Sequence, residues 1–196
     1  RVSGPSSCRV TIHATRLSGP ALVSLLMTAP HTYTRQDLAA VRRIAEAVPD
    51  PELVVVTVGD LGIVRDIRLA GETVEIDVTP TYSACPATLA IELEIETAVN
   101  RSGHRAQVRR VLSPAWTTDW ITADGRAKLK AHGIAPPLPR ENTGADSSRY
   151  FSQPAIPCPR CDSTDTKQLS AFGATACKAQ YQCASCHEPF DYFKCL

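Results

Sequence analysis

The chain has 196 residues, 43% hydrophobic and 21% charged, enough for one ordinary domain and a small second one in a globular protein. Its formal net charge of +1 supplies no broad field to hold nucleic acid or an anionic membrane. No apolar run approaches the roughly 18 residues that a bilayer-spanning helix needs.

Residues 1–26 carry Arg1, Arg9 and Arg16, no acid, and scattered Ser and Gly, and the only methionine is Met27. Residues 1–33 are expected to be a disordered extension upstream of the globular part, in which Cys8 has no role. A cleaved targeting peptide built on the run from Ala21 to Leu26 is the alternative.

Thr34 followed by Asp37 predicts a capped helix running to about Val48, with Leu38, Val41, Ile44, Ala45 and Val48 on one face. Pro49-Asp50-Pro51-Glu52 stops it and stiffens the turn that follows. Ile63 to Leu69 and Thr73 to Thr79 read as strands around an Ala70-Gly71-Glu72 turn, with Val74, Ile76 and Val78 alternating. Thr79 to Pro86 is a loop that opens into the next element. Over residues 87–100, Leu89, Ile91, Leu93 and Ile95 alternate like a strand, while Ala87, Ile91, Ile95 and Ala98 fit a helix face. Length, composition and Pro86 at the first helical position favour the helix, with Cys85 just before it. Arg105 to Leu112 predicts a third strand. Asp124 to His132 predicts a short helix closed by Gly133.

Residues 134–157, with their prolines among polar residues, are expected to be a linker. Beyond it, Cys158-Pro159-Arg160-Cys161 and Cys183-Ala184-Ser185-Cys186 are two CxxC knuckles separated by twenty-one residues. That spacing is specific for a tetrathiolate metal site. A closed set of four thiolates suits one structural Zn²⁺, with iron as the minor chemical alternative. The segment 158–196 is too small to bury its own core, so metal is expected to supply its folding free energy. Its balanced charges, Arg160, Lys167, Lys178 and Lys194 against Asp162, Asp165, Glu188 and Asp191, argue against nucleic-acid binding. Cysteines grouped as ligands rather than as a disulfide framework point to a reducing cytoplasm. The fold class expected is α+β: a small three-stranded sheet packed by helices over residues 34–133, then a β zinc ribbon over 158–196. With a long linker between them, the two stabilities are expected to be nearly independent.

Outside the ribbon, Cys85 is the candidate functional residue. Helix N–H groups and dipole next to it favour a thiolate, and Thr79, Thr81 and Ser83 surround it. The bland reading is a small buried cysteine plugging a helix start. Asp50 and Glu52 sit on the stiff turn, either as carboxylates facing Cys85 or as a solvated helix terminus. Trp116 and Trp120 either form a partner-docking surface or pack on the sheet. Cys177 and Cys195 are expected as free thiols near the zinc site, His187 as a surface residue, and His104 and His132 as residues without a role. The chain holds no Ser-His-Asp pattern, phosphate loop, nucleotide fingerprint or HExxH motif, so no catalytic constellation is seen.

Asp50-Pro51-Glu52, Asp60-Leu61-Gly62-Ile63-Val64-Arg65-Asp66 and Thr79-Pro80-Thr81-Tyr82-Ser83-Ala84-Cys85-Pro86-Ala87-Thr88 resemble the small α/β domain of iron–sulfur cluster assembly and targeting factors. Ser113-Pro114-Ala115-Trp116-Thr117-Thr118-Asp119-Trp120-Ile121, with a ribbon ending Glu188-Pro189-Phe190-Asp191-Tyr192-Phe193-Lys194-Cys195-Leu196, narrows this. The whole resembles the PaaD/PaaJ family of accessory subunits in the phenylacetyl-CoA epoxidase system over residues 34–133 and 157–196. Val54 stands where the family's pattern has proline, and Ala84 where it has glycine before the cysteine. The resemblance implies an accessory, non-catalytic role in aerobic phenylacetate degradation. The partners would be the other epoxidase subunits, which carry a di-iron site and a flavin and [2Fe–2S] reductase. The chain would mature or insert the reductase cluster, with transient iron or an iron–sulfur cluster at Cys85, Asp50, Glu52, Thr79 and Thr81. A structural adaptor that delivers no metal is the second function class.

Overall fold

A computed structural model describes residues 33–83, 85–138 and 155–194. The extension with Cys8 and Met27, residue Ala84, the linker from 139 to 154, and Cys195 lie outside the described residues.

Helix α1 (Arg35–Glu46) begins with a reciprocal cap. The Thr34 amide donates to Asp37 Oδ2 at 2.7 Å, and the Asp37 amide donates to Thr34 Oγ1 at 3.3 Å. Val41 and Ala45 lie fully buried on its inner face. The chain then turns through the Asp50 corner into strand β1 (Val64–Ala70), reverses at Gly71, and returns as β2 (Thr73–Val78). β2 is central, antiparallel to β1 and parallel to β3 (Ala106–Arg110). Its alternation is strict: Val74, Ile76 and Val78 point into the core. Glu75 and Asp77 on the opposite face pair with Arg68 and Arg109 at 2.5–3.5 Å.

The parallel β2–β3 pair needs a crossover, which helix α2 (Thr88–Arg101) supplies. Burial decides the ambiguous pattern of residues 87–100 in favour of a helix. Ile91, Ile95 and Val99 are buried at helical spacing, while Leu89 and Leu93, which made the strand pattern, are 70% and 63% exposed. The helix starts later than expected. Ala87, not Cys85, is its cap residue, and Cys85 sits in the turn before it. After β3 come a single 3₁₀ turn (Thr118–Trp120) and helix α3 (Ala123–Ala131). Gly62, at φ +65°, lets the Trp120 backbone approach so closely that a β-carbon there would lie 2.5 Å from its carbonyl oxygen.

The segment expected as linker begins instead with a strand. β4 (Ile134–Ala135) pairs parallel with the last ribbon strand. The second sheet runs β4-β7-β6-β5, where β5 (Thr166–Ser170), β6 (Lys178–Cys183) and β7 (Pro189–Phe193) form the antiparallel ribbon. The ribbon has a small core of Ile156, Ala179, Tyr181 and Phe190 around Cys158 and Cys183. Phe193 and Cys177 belong elsewhere: both are buried in the main core with the α1, β2 and α2 side chains. Phe193 meets Trp116 edge-on at 6.4 Å between ring centroids. Nearly independent stabilities are therefore not what the packing gives, because one hydrophobic core contains residues from both modules.

Phe193→Ala removes a fully buried aromatic shared by both modules and should cost about 3–5 kcal/mol. The helical circular-dichroism signal and metal release should shift together to lower temperature in one transition. A helical melt left at its wild-type temperature while the ribbon loses metal would contradict the shared core.

Candidate functional site

The metal centre is built by two turns of the same design. In the first knuckle the Cys158 amide donates to Ser163 O at 2.9 Å, and in the second the Cys183 amide donates to Glu188 O at 3.0 Å. Each turn leaves its second cysteine through a left-handed residue, Asp162 at φ 58° and His187 at φ 63°. Asp and His are among the few non-glycine residues enriched in that region. His187 is thus an exposed residue whose service is to the backbone. Cys158 and Cys183 are buried, and Cys161 and Cys186 are exposed.

The four Sγ atoms lie within 4.8 Å of one another. Cys158 to Cys186 is 3.7 Å and Cys161 to Cys183 is 3.6 Å. A tetrahedron with metal–sulfur bonds of ~2.3 Å has edges of about 3.8 Å, so the set fits a zinc ion, whereas a disulfide would need about 2.05 Å. The Cys186 backbone N–H holds the Cys183 thiol down at about 6. The Ser163 N–H also pulls on Cys161, but the nearby Cys186, Cys183 and Cys158 thiols, with desolvation, push it up to about 12. Four sulfurs this close need a cation before all can ionise.

A second set of thiol and carboxylate side chains lines a cleft between the α/β core and the ribbon. Asp50 is not a solvated helix terminus. It is 7% exposed, and its Oδ1 accepts the Glu52 and Leu53 amides at 2.8 and 2.7 Å, which closes the proline-stiffened turn. Asp50 and Glu52 line one narrow cleft with Thr81, Cys85 and Thr88, floored by Ile63, Val78 and Phe193. Thr79 does not join them. It lines a neighbouring hollow of about 180 Å³ with Tyr82 and Trp116.

The residue that sequence reasoning missed is Cys177. Expected near the zinc, it enters this cleft instead, and its Sγ donates to Glu52 Oε2 at 3.1 Å. The signal was present: Cys177, Ala179, Tyr181 and Cys183 recur at every second residue, and all are buried. Read as part of that strand face, Cys177 points inward.

The electrostatics overturn the expectation of a helix-activated thiolate. Burial raises the Cys85 thiol above its ordinary value; the Ala87 N–H pulls it down, but Glu52 and Asp50 push it up further. Burial, partly opposed by the Thr175 hydroxyl and aided by Glu52, pushes Cys177 up to about 12. Burial likewise raises the Asp50 carboxyl, although the Leu53 and Glu52 amides oppose it. At neutral pH the cleft therefore holds protonated thiols. The Thr88 hydroxyl in its wall is buried and lacks a partner of hydrogen-bond geometry, though it lies near enough to Cys85 to help lower its thiol.

Both tryptophans are engaged inside the chain. Trp116 Nε1 donates to Leu61 O at 2.8 Å, and the Arg65 guanidinium lies 3.4 Å over the Trp120 ring. Asp60, which the sequence did not single out, is buried at 9% exposure and takes Lys128 Nζ at 2.7 Å and the Thr57 amide at 2.9 Å, tying α3 to the turn before β1. No helix among the described residues is long and apolar enough to cross a membrane.

Two family profiles match the chain: an iron-sulfur cluster assembly protein over residues 38–112 and a PaaD zinc beta ribbon domain over 142–194. A relative from Escherichia coli (strain K12), described as the putative D-type subunit of a 1,2-phenylacetyl-CoA epoxidase, is 48% identical over 150 residues, covering 76% of this chain and 87% of its own. A solved domain of unknown function (DUF59) from Bacillus anthracis is 23% identical with a TM-score of 0.45, covering 48% of this chain and 92% of its own.

Two measurements check this geometry. Metal analysis should find one zinc per chain, lost in Cys158→Ser and Cys183→Ser; full-length protein without bound zinc or iron would contradict the tetrathiolate. Alkylation at pH 8 should modify Cys85 well before Cys177. Glu52→Gln removes a charge that raises Cys177, so its thiol should ionise at lower pH and react faster. An unchanged Cys177 rate would mean that Glu52 does not face it in solution.

Proposed function

The chain belongs to the PaaD family of phenylacetyl-CoA epoxidase components, and from that membership we propose that it is an accessory subunit of such an epoxidase that handles iron at the Cys85 cleft. Its role is maturation rather than catalysis: it aids assembly or insertion of the iron–sulfur cluster of the reductase component, in the cytoplasm. The observation that carries this reading is the placement of Cys85 in one cleft with the carboxylates of Asp50, which is buried, and Glu52. A thiol beside carboxylates offers a soft ligand and hard ligands to the same cation. The half-buried Thr81 completes the polar wall. The match of residues 38–112 to the iron-sulfur cluster assembly profile supports the same role. The ribbon zinc has a separate task, since four protein thiolates leave it no open position for cargo.

The test compares reductase matured in cells with wild-type protein or with Cys85→Ser under limiting iron. Serine keeps the size of the side chain but is a far poorer soft-metal ligand. Folding and ribbon zinc should be unchanged, while iron and acid-labile sulfide per reductase, and phenylacetyl-CoA epoxidation with them, should fall severalfold. Asp50→Asn should give a smaller loss. Equal cluster content with folded, abundant mutant protein would favour the structural adaptor that delivers no metal.

A further inference from the structure

We propose that Cys177 is the second thiolate of a site for one divalent cation, ferrous iron or a similar soft-to-borderline ion, that straddles the joint between the α/β core and the ribbon, with Cys85 and Glu52 as the other ligands. This rests on the reading that Cys85 handles iron, and it specifies the cargo as a single ion rather than an assembled cluster.

Three observations converge. Cys177 is 5% exposed, and its sulfur already lies 3.1 Å from Glu52 Oε2, a thiol–carboxylate contact between modules that are 125 residues apart in sequence. Cys85 and Cys177 line the same cleft, whose free volume of about 20 Å³ suits one water-sized occupant. An iron–sulfur cluster of four or more heavy atoms does not fit that space. Finally, the buried Thr88 hydroxyl stands in the wall beside Cys85, near enough to act on its sulfur though without full hydrogen-bond geometry. A thiolate formed at Cys85 would be a stronger acceptor for that hydroxyl than the thiol is, so the wall favours the ionised form that a cation needs.

Among the described residues, the ribbon cysteines are the group already gathered at coordination distance. The cleft ligands converge when the ion arrives, through rotation of side chains, since the Cys85 backbone is held in its turn by its N–H to Tyr82 O at 3.1 Å and by the Thr88 N–H to its carbonyl at 3.2 Å. Cys177 is held as well: the Lys194 amide donates to its carbonyl at 2.9 Å, and the Thr175 hydroxyl touches its sulfur at 3.1 Å. The protons balance simply. One cation enters, the two thiols each release a proton to solvent, and Glu52 exchanges its S–H donor for the metal. Asp50 keeps its two backbone amides and remains a nearby charge, and Lys178 of the ribbon faces it.

The experiment is an anaerobic Co²⁺ titration of the reduced full-length protein with its ribbon zinc in place, following sulfur-to-cobalt charge-transfer absorption and retained zinc. Wild type should bind one cobalt beyond the zinc. Cys85→Ser, Cys177→Ser and Cys177→Ala should each lower the charge-transfer intensity by about half and weaken binding about tenfold or more, with zinc still one per chain as the check on folding. Cys177→Ala ensures that a serine hydroxyl does not hold the ion in place of the thiol. Absence of extra cobalt in wild type overturns the site. So does a wild-type band in both Cys177 variants, and if Cys85→Ser alone loses the band, the Cys85 reading survives without its second thiol. A band that needs both cysteines, in a protein whose Cys85→Ser form still yields fully clustered reductase, keeps the site and removes the delivery role.

Discussion

The burial of Phe193 and Cys177 in the α/β core is the contact on which the rest of the structure depends. A ribbon held only by its metal would be a bead on a string, free to sample many orientations. Here its last strand ends in a fully buried phenylalanine that meets Trp116, and its neighbouring strand begins beside a cysteine that reaches Glu52. β4 adds a backbone clasp, since a strand leaving α3 joins the ribbon sheet beside β7. Lys130 of α3 pairs with Asp162 of the first knuckle at 2.5 Å, but that pair is exposed and contributes little. The apolar contacts and the β4–β7 pairing set the orientation.

This makes the zinc a stabiliser of more than its own module. Metal that binds only the folded ribbon shifts the folding equilibrium of whatever folds with it. Because Phe193 sits among the side chains of α1, β2 and α2, loss of the tetrathiolate also loosens the floor of the Cys85 cleft. The structural metal and the candidate cargo site are thus linked through packing, without any shared ligand.

Much of this was legible in the sequence where a local rule decided the outcome. The Thr34–Asp37 cap, the alternation of Val74, Ile76 and Val78, and the spacing of the two knuckles each follow from short-range chemistry and hold in the structure. What was not legible depended on turn geometry and on packing that no propensity rule specifies. The boundary of α2 moved because Cys85 and Pro86 form a turn ahead of it. Asp50 read equally as a solvated terminus, because an acid on a proline turn does not by itself show that its carboxylate folds back onto the Leu53 amide or that the core closes over it. Cys177 was expected as a free thiol near the zinc by its place in sequence, although the two-residue period from Cys177 to Cys183 already placed it on the inward face. Trp116 and Trp120, four residues apart, read equally well as a docking pair or as packing; each has partners inside the chain, Leu61 and Phe193 for Trp116 and Arg65 for Trp120, and each stays partly exposed.

The chain contains two thiol sites in which the same physical terms act with different weight. At the ribbon, the Cys186 N–H points at Cys183 and holds that thiol down, while desolvation and the neighbouring sulfurs raise Cys161 and Cys186, so the four ionise together only around a cation that becomes part of the fold. At the cleft, burial and the Glu52 and Asp50 carboxylates outweigh the Ala87 N–H at Cys85 and the Thr175 hydroxyl at Cys177, so both thiols stay protonated. Any cation entering the cleft must displace those protons, which weakens its net binding relative to a site of preformed thiolates. Weak binding is a defect in a structural site and an advantage in a delivery site, because cargo held as tightly as the ribbon zinc would not leave. The carboxylates that raise the thiols also attract the cation. They therefore favour capture while the proton cost limits retention, which is the balance that a site for handing on a metal requires.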